Sequence, residues 1–257
     1  MMTGAVTGYR QRGLSLIELM VALLLSSLLI LGVTQIYIDN KRNYAFQQGQ
    51  SDNLENARYA LMLFEEELYR TGFRSFPDVA PEFTFRPDAS ASANCSFGAG
   101  EVINFDVEDQ RICIRYHPSL PETTICSGEA ITSRTEPYEA NVEPVTVELA
   151  ITDNALHCNG VPMINNMVDI KLAFGVSDPG TKQVMRYTDA PGADERIHAV
   201  RYAALLKSRS TSLADNDDSL AYRAWREKWY SENNAAAPDR ALYLVTENTI
   251  SLRNLSR

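Results

Sequence analysis

Residues 13–33, GLSLIELMVALLLSSLLILGV, form an apolar run broken by a single acid, Glu18. At about 1.5 Å of rise per helical residue, residues 14–33 match the roughly 20 positions that cross the hydrocarbon core of a bilayer. A carboxylate near the bilayer centre costs on the order of 2.5 to 3.5 kcal/mol, less near the interface, while each Leu, Ile or Val returns roughly 0.3 to 0.6. The segment therefore still inserts, and Glu18 calls for a partner. Upstream, residues 1–12 carry Arg10 and Arg12 and no acid. That bias orients the helix with its N-terminus in the cytoplasm and everything after Val33 outside. A secretory signal would place a small-residue cleavage site after a shorter apolar core. Here the small residue, Gly13, comes before the run.

Gly13, Leu14 and Glu18 resemble the type IV prepilin signature. The resemblance implies that a prepilin peptidase cuts after Gly13 and methylates the new N-terminus, so that Leu14 becomes the first mature residue and Glu18 the fifth. Most of that family has Phe where Leu14 stands, a position that needs bulk and apolarity. The resemblance also implies a partner for Glu18: the amine of a neighbouring subunit's first residue inside a filament. Such a pair holds register because either half, left unpaired away from water, is expensive. The rival reading is a plain membrane anchor with an isolated acid.

The chain has 257 residues, 45% hydrophobic and 22% charged, as expected of a globular protein with one membrane segment. Beyond a leader (1–13) and a long helix (14–71, with 14–33 transmembrane and 34–71 amphipathic), about 185 residues remain for one head, enough for a single core. The net charge of -9 disfavours nucleic acid as a partner. Cys95, Cys113, Cys126 and Cys158 all fall in the exported part. Without close C-x-x-C pairs beside histidines, two disulfides are a better reading than zinc, in keeping with an oxidising compartment. Cys113 and Cys126 flank the turn-like HPSLPE, which favours pairing Cys113 with Cys126 and Cys95 with Cys158.

No proline follows the apolar run until Pro77, so nothing obliges a helix to stop at a membrane surface. Leu54, Ala57, Leu61, Phe64 and Leu68 step by three and four, the repeat of one buried helical stripe. Gly72 is a plausible C-terminal stop, and Gly32 and Gly49 are soft points within the helix. Residues 73–100, rich in Pro, Ser, Ala and Gly, read as a loop. Strand character follows at 101–107, 111–116, 145–151, 155–157, 167–176, 199–207 and 241–252, separated by turn clusters. Short strands in series after one helix predict an α+β head with an antiparallel sheet and the helix across one face.

ENARYALMLFEEELYRTGF in the helix, NNMVDIKLAFGVSD from Asn165, AVRYAALLKSRS and the ending NTISLRN together resemble PilW-like minor pilins. That resemblance implies a type IV pilin-like fold and a subunit of a pilus tip or initiation complex. Implied partners are other minor pilins, the major pilin, the inner-membrane assembly platform and a large tip adhesin. It also implies an inner-membrane precursor with a periplasmic head that passes to the pilus surface, where adhesion and twitching motility are outcomes of the whole pilus. The nearest rival is a pseudopilin of a type II secretion system. Rivals from other classes are a membrane-anchored periplasmic enzyme and a DNA-binding competence pilin.

SLAYRAWREKWYS (219–231) puts Tyr222, Trp225 and Trp229 at helical spacing. Two readings compete: a short helix with its aromatic face on the sheet, or a docking surface built from the residue types that anchor interfaces. No catalytic, cofactor or metal constellation emerges. His117, His157 and His198 are scattered, and Gly98-Ala99-Gly100 lacks the third glycine of a phosphate loop. From Asp215 an EF-hand would need Gly where Leu220 stands and Glu where Arg226 stands.

Overall fold

The computed structural model describes residues 13, 15–92, 94–120, 123–131, 142–181, 183–192 and 194–255. Helix α1 runs Leu16–Arg70. The chain divides into two compact units, Met1–Gln47 and Gln48–Arg257. The boundary falls inside α1 and not at residue 72, because the helix's later turns share a core with the sheets.

In the first unit the helix is long and apolar enough to cross a membrane, and none of its apolar window is buried. Ser27 Oγ and Thr34 Oγ1 donate to the carbonyls of Leu24 and Ile30, which conceals these hydroxyls within the apolar surface.

In the second unit, α1 buries Gly49, Asn53, Ala57, Ala60, Leu63, Phe64, Glu67 and Leu68. Ala57, Phe64 and Leu68 hold the expected stripe. Leu54 is exposed and Leu61 half-buried, while Asn53 and Glu67 take buried places. Gly49 is no soft point: a Cβ there would lie 2.5 Å from Leu213 Cδ1, so glycine allows the helix to approach that side chain. The helix ends as expected at Gly72, whose φ of 70° is left-handed and whose N–H donates to Arg115 O.

After the short helix α2 (Pro81–Thr84), the hairpin β1 (Asp88–Ser92) and β2 (Cys95–Phe97) precedes a five-stranded antiparallel sheet. That sheet comprises β3 (Ile103–Asp106), β4 (Arg111–Tyr116), β5 (Val145–Thr152), β6 (Ala155–Cys158) and β7 (Val161–Asn165) in sequential order. A second antiparallel sheet has the order β11-β10-β8-β9, from β8 (Met167–Ser177), β9 (Arg186–Thr188), β10 (Arg196–Lys207) and β11 (Tyr243–Ser251). Helix α3 (Leu220–Tyr230) lies between β10 and β11 in sequence, capped by Ser219 Oγ accepting from Tyr222 N–H.

One apolar core joins α1 to both sheets. Phe64, Ile112, Ile114, Leu149, Leu156, Ile170, Leu172, Val200, Tyr202 and Ala204 all belong to it. The rings of Phe64 and Tyr202 lie 4.9 Å apart, and Tyr202 Oη donates to Leu61 O.

The cysteines pair as Cys95–Cys113 and Cys126–Cys158, with Cα separations of 5.8 and 6.0 Å. This corrects the expected pairing of Cys113 with Cys126 and Cys95 with Cys158, and the reason is strand parity. Cys158 stands opposite Leu149, which stands opposite Ile112, so all three share the face toward α1. Cys113, one residue from Ile112, must point to the other face. There it meets Cys95 and Phe97 of the covering hairpin. Cys113 and Cys158 thus lie on opposite sides of one sheet, and each finds its partner on its own side.

The stretch 73–100 is not a loose loop. Arg115, 1% exposed, donates from Nε to Glu101 O, from Nη1 to Arg86 O, and from Nη2 to Phe85 O and Gly98 O. Its guanidinium also lies against the rings of Phe85 and Phe97. Burial draws its pKa down, against the charges of Glu101 and Asp88. One side chain on β4 thereby ties four carbonyls of the preceding segment.

Candidate assembly site

Gly13 is exposed, and Leu14, like residues 1–12, lies outside the described residues. Glu18 sits in the first turn of α1, which begins at Leu16. An acid there faces the positive end of the helix dipole, where backbone N–H groups lack intrahelical partners. Glu18 is exposed, and among the described residues no ion pair engages it. Around it Leu16, Ile17, Leu19, Met20 and Val21 present more than half of their surfaces.

The aromatic segment is spent within its own head. Trp225 is 2% exposed and packs on Ala203 and Leu205, with Tyr222, Trp229, Tyr230, Tyr243 and Val245 around it. Its Nε1 donates to Asp169 Oδ2 at 2.7 Å, and Tyr230 Oη donates to the same oxygen at 2.7 Å. Tyr222 lies 5.1 Å from the Tyr243 ring and Trp229 5.9 Å from Trp225. These contacts fit the plainer of the two readings, in which α3 covers the outer face of the second sheet with its aromatic side down. Burial and the neighbouring Asp169 carboxylate push the Tyr230 phenol well above its usual range.

Two buried acids carry this architecture and were not singled out from the sequence. Asp169 and Lys171 stand opposite Leu205 and Ala203, on the face under α3. Their alternation with Ile170 and Leu172 was a readable signal that this outer face is polar only in part. Glu67 has no such signal, because it occupies a core position in an otherwise ordinary EEEL run.

The histidines are structural in placement. His198 Nε2 lies 2.8 Å from Ser177 Oγ, His117 Nδ1 lies 3.2 Å from Ser75 Oγ, and His157 Nδ1 lies 3.1 Å from Ala155 O. Among the described residues no group of His, Cys, Asp or Glu could hold a metal ion.

The family model "Type IV Pilus-assembly protein W", PilW, matches residues 136–254, and the prokaryotic N-terminal methylation motif matches residues 8–34. No curated protein matches the chain. Among solved structures, the type IV-like pilin TTHA1219 from Thermus thermophilus aligns with a TM-score of 0.42 and 13% identity, covering 81% of this chain and 97% of that one. A methylation motif leading into an exposed apolar helix, ahead of a disulfide-bonded antiparallel head, defines a type IV pilin. The PilW match over residues 136–254 and the methylation motif over residues 8–34 together support a PilW-like minor pilin of a type IV pilus. Pilins of this kind are structural subunits, and the signature implies other pilins and a prepilin peptidase as partners. It is also in keeping with anchoring in the inner membrane.

Proposed function

We propose that this minor pilin enters the tip or initiation complex of a type IV pilus after processing at Gly13. In this reading 1–13 is a leader, 14–71 the assembly helix and 72–257 the head. Residues 14–33 hold the precursor in the inner membrane, N-terminus cytoplasmic and head periplasmic. Leu14 then provides the methylated amine of one subunit and Glu18 the carboxylate that meets a neighbour's amine. The supporting observation is Glu18 itself: an acid in the first helical turn, surrounded by exposed Leu, Ile, Met and Val, and without an ion-pair partner among the described residues. The partners that follow are the peptidase, other minor pilins, the major pilin and the inner-membrane assembly platform, with a tip adhesin above.

The test is deletion of the chain's gene followed by complementation. Loss of surface pili with type II secretion intact supports the reading. Retained pili with lost secretion would assign the protein to a secretion pseudopilus instead.

A further inference from the structure

Glu67 is 2% exposed, on the face of α1 that joins the core, yet it is a carboxyl group with too few partners. Its Oε2 makes no hydrogen bond among the described residues. Its Oε1 lies 3.4 Å from Arg70 Nη1, the nitrogen that also donates to Thr124 O at 3.1 Å. Arg70 is shared again, since its Nη2 pairs with Glu66 at the surface. The titratable and charged groups that face Glu67 are Arg70 and Glu66 on its own helix and Tyr116 on β4; the loop 123–131 contributes the backbone N–H of Cys126.

That loop is the lid of this site. It is closed by a Thr124–Ala130 bridge, drops Ile125 and Ile131 into the core, and is stapled through Cys126 to Cys158 on β6. Arg70 ties Thr124 to the helix beside the acid. Among the described residues it joins no sheet ladder beyond its own Thr124–Ala130 bridge.

We propose that Glu67, Arg70 and Tyr116 form a proton-operated latch between α1 and the loop 123–131: shut while the Glu67 carboxyl is protonated, loosened when it ionises. A neutral carboxyl can remain in the dry core with one oxygen unbonded at modest cost. A carboxylate there is favoured by a share of Arg70 and by the Cys126 N–H, which together do not offset its burial, so ionisation draws in water. The nearest cover that can move to admit water is the loop, and the disulfide limits that movement to a loosening. Burial pushes the Glu67 pKa from 4.5 up to about 7, opposed by Arg70, with Glu66 adding to the rise. The latch therefore works near neutrality, in a head that meets the pH of its surroundings. It is a property of the head alone and stands whether or not the chain joins a pilus.

The test uses the full chain in detergent micelles, with infrared difference spectroscopy for the carboxyl and amide hydrogen exchange, corrected for intrinsic rates, for the loop. The expected result is a protonated-carboxyl band present at about pH 6 and lost by about pH 8.5, missing in Glu67→Gln. Protection of the amides in 123–131 falls severalfold across the same interval in the wild type and stays level in the variant. A Glu67 band absent throughout, or loop protection equal on both sides of the titration, overturns the latch. If Glu67→Gln does not fold, Arg70→Gln carries the test. Loss of the guanidinium, which opposes the rise, moves the band's midpoint upward; an unmoved midpoint counts against the latch.

Discussion

Asp169 Oδ2 accepts two hydrogen bonds at 2.7 Å, one from Trp225 Nε1 and one from Tyr230 Oη, so a single oxygen on β8 fixes both the middle and the end of α3. Helix α3 spans Leu220–Tyr230 and its only buried residue is Trp225. Its docking therefore rests on that aromatic contact and on this acid. Hydrogen bonds to a charged group contribute roughly 1.5 to 3 kcal/mol each, and an orphaned buried donor adds a further penalty. Asp169→Ala is expected to destabilise the head by about 3 kcal/mol and to red-shift tryptophan emission as α3 lifts. Urea unfolding followed by fluorescence checks both; an unshifted spectrum would show that packing alone seats the helix.

The disulfides follow from sheet parity and can be read chemically. A digest of unreduced protein should yield peptides joining Cys95 to Cys113 and Cys126 to Cys158, 18 and 32 residues apart in sequence. Loops of that length contribute roughly 3 to 4 kcal/mol in the chain-entropy account. Cys126→Ser with Cys158→Ser should lower stability by about that amount. A peptide joining Cys113 to Cys126 would contradict the two-sided arrangement.

Arg115 binds four carbonyls from one buried position, so its replacement is expected to act at a distance along the chain. Arg115→Met removes the charge and leaves the acceptors of Phe85, Arg86, Gly98 and Glu101 to find water. A loss of about 3 to 5 kcal/mol is expected, with faster hydrogen exchange concentrated in residues 85–101. Uniform loss of protection over the head would contradict this role.

The sign of the Glu67 contribution to stability is set by the direction of its shift. Its pKa is raised on folding, from 4.5 to about 7, so the native state holds the proton more tightly. The contribution is full below about 4.5, falls as pH rises toward 7 and is gone above it, a change of about 3 kcal/mol at most. In Glu67→Gln the stability curve should lose that slope. Measuring unfolding free energy against pH for both chains isolates the effect, and parallel curves would contradict it.

Much of this architecture was legible in the residues. Spacing by three and four placed Ala57, Phe64 and Leu68 in the core, and Gly72 marked the end of α1. RICIRY at 111–116 gave β4 with its observed bounds. What escaped depended on contacts that no local pattern records. The buried stripe is rotated to include Asn53 and Glu67, because Asn53 Nδ2 donates to Leu242 O, 189 residues away, and Glu67 sits beside Arg70 and Tyr116. The strands β1, β2, β7 and β9 were not placed, although β3 and β6, which are no longer than β1 and β7, were. The alternation of RICIRY placed Cys113 opposite to Ile112, but nothing in the sequence said which face Cys126 would reach. At the candidate assembly site, Glu18 was conspicuous because a charge in an apolar run is costly, and the aromatic helix left two readings open because interface anchors and core anchors are the same residue types.

The central claim is that this chain is processed and assembled as a pilin. Mass spectrometry of the mature N-terminus, from native membranes or sheared pili, tests it most directly. The account predicts a chain that begins at N-methylated Leu14. A chain that retains residues N-terminal to Gly13 in a peptidase-proficient host would make residues 14–33 a permanent anchor and contradict it.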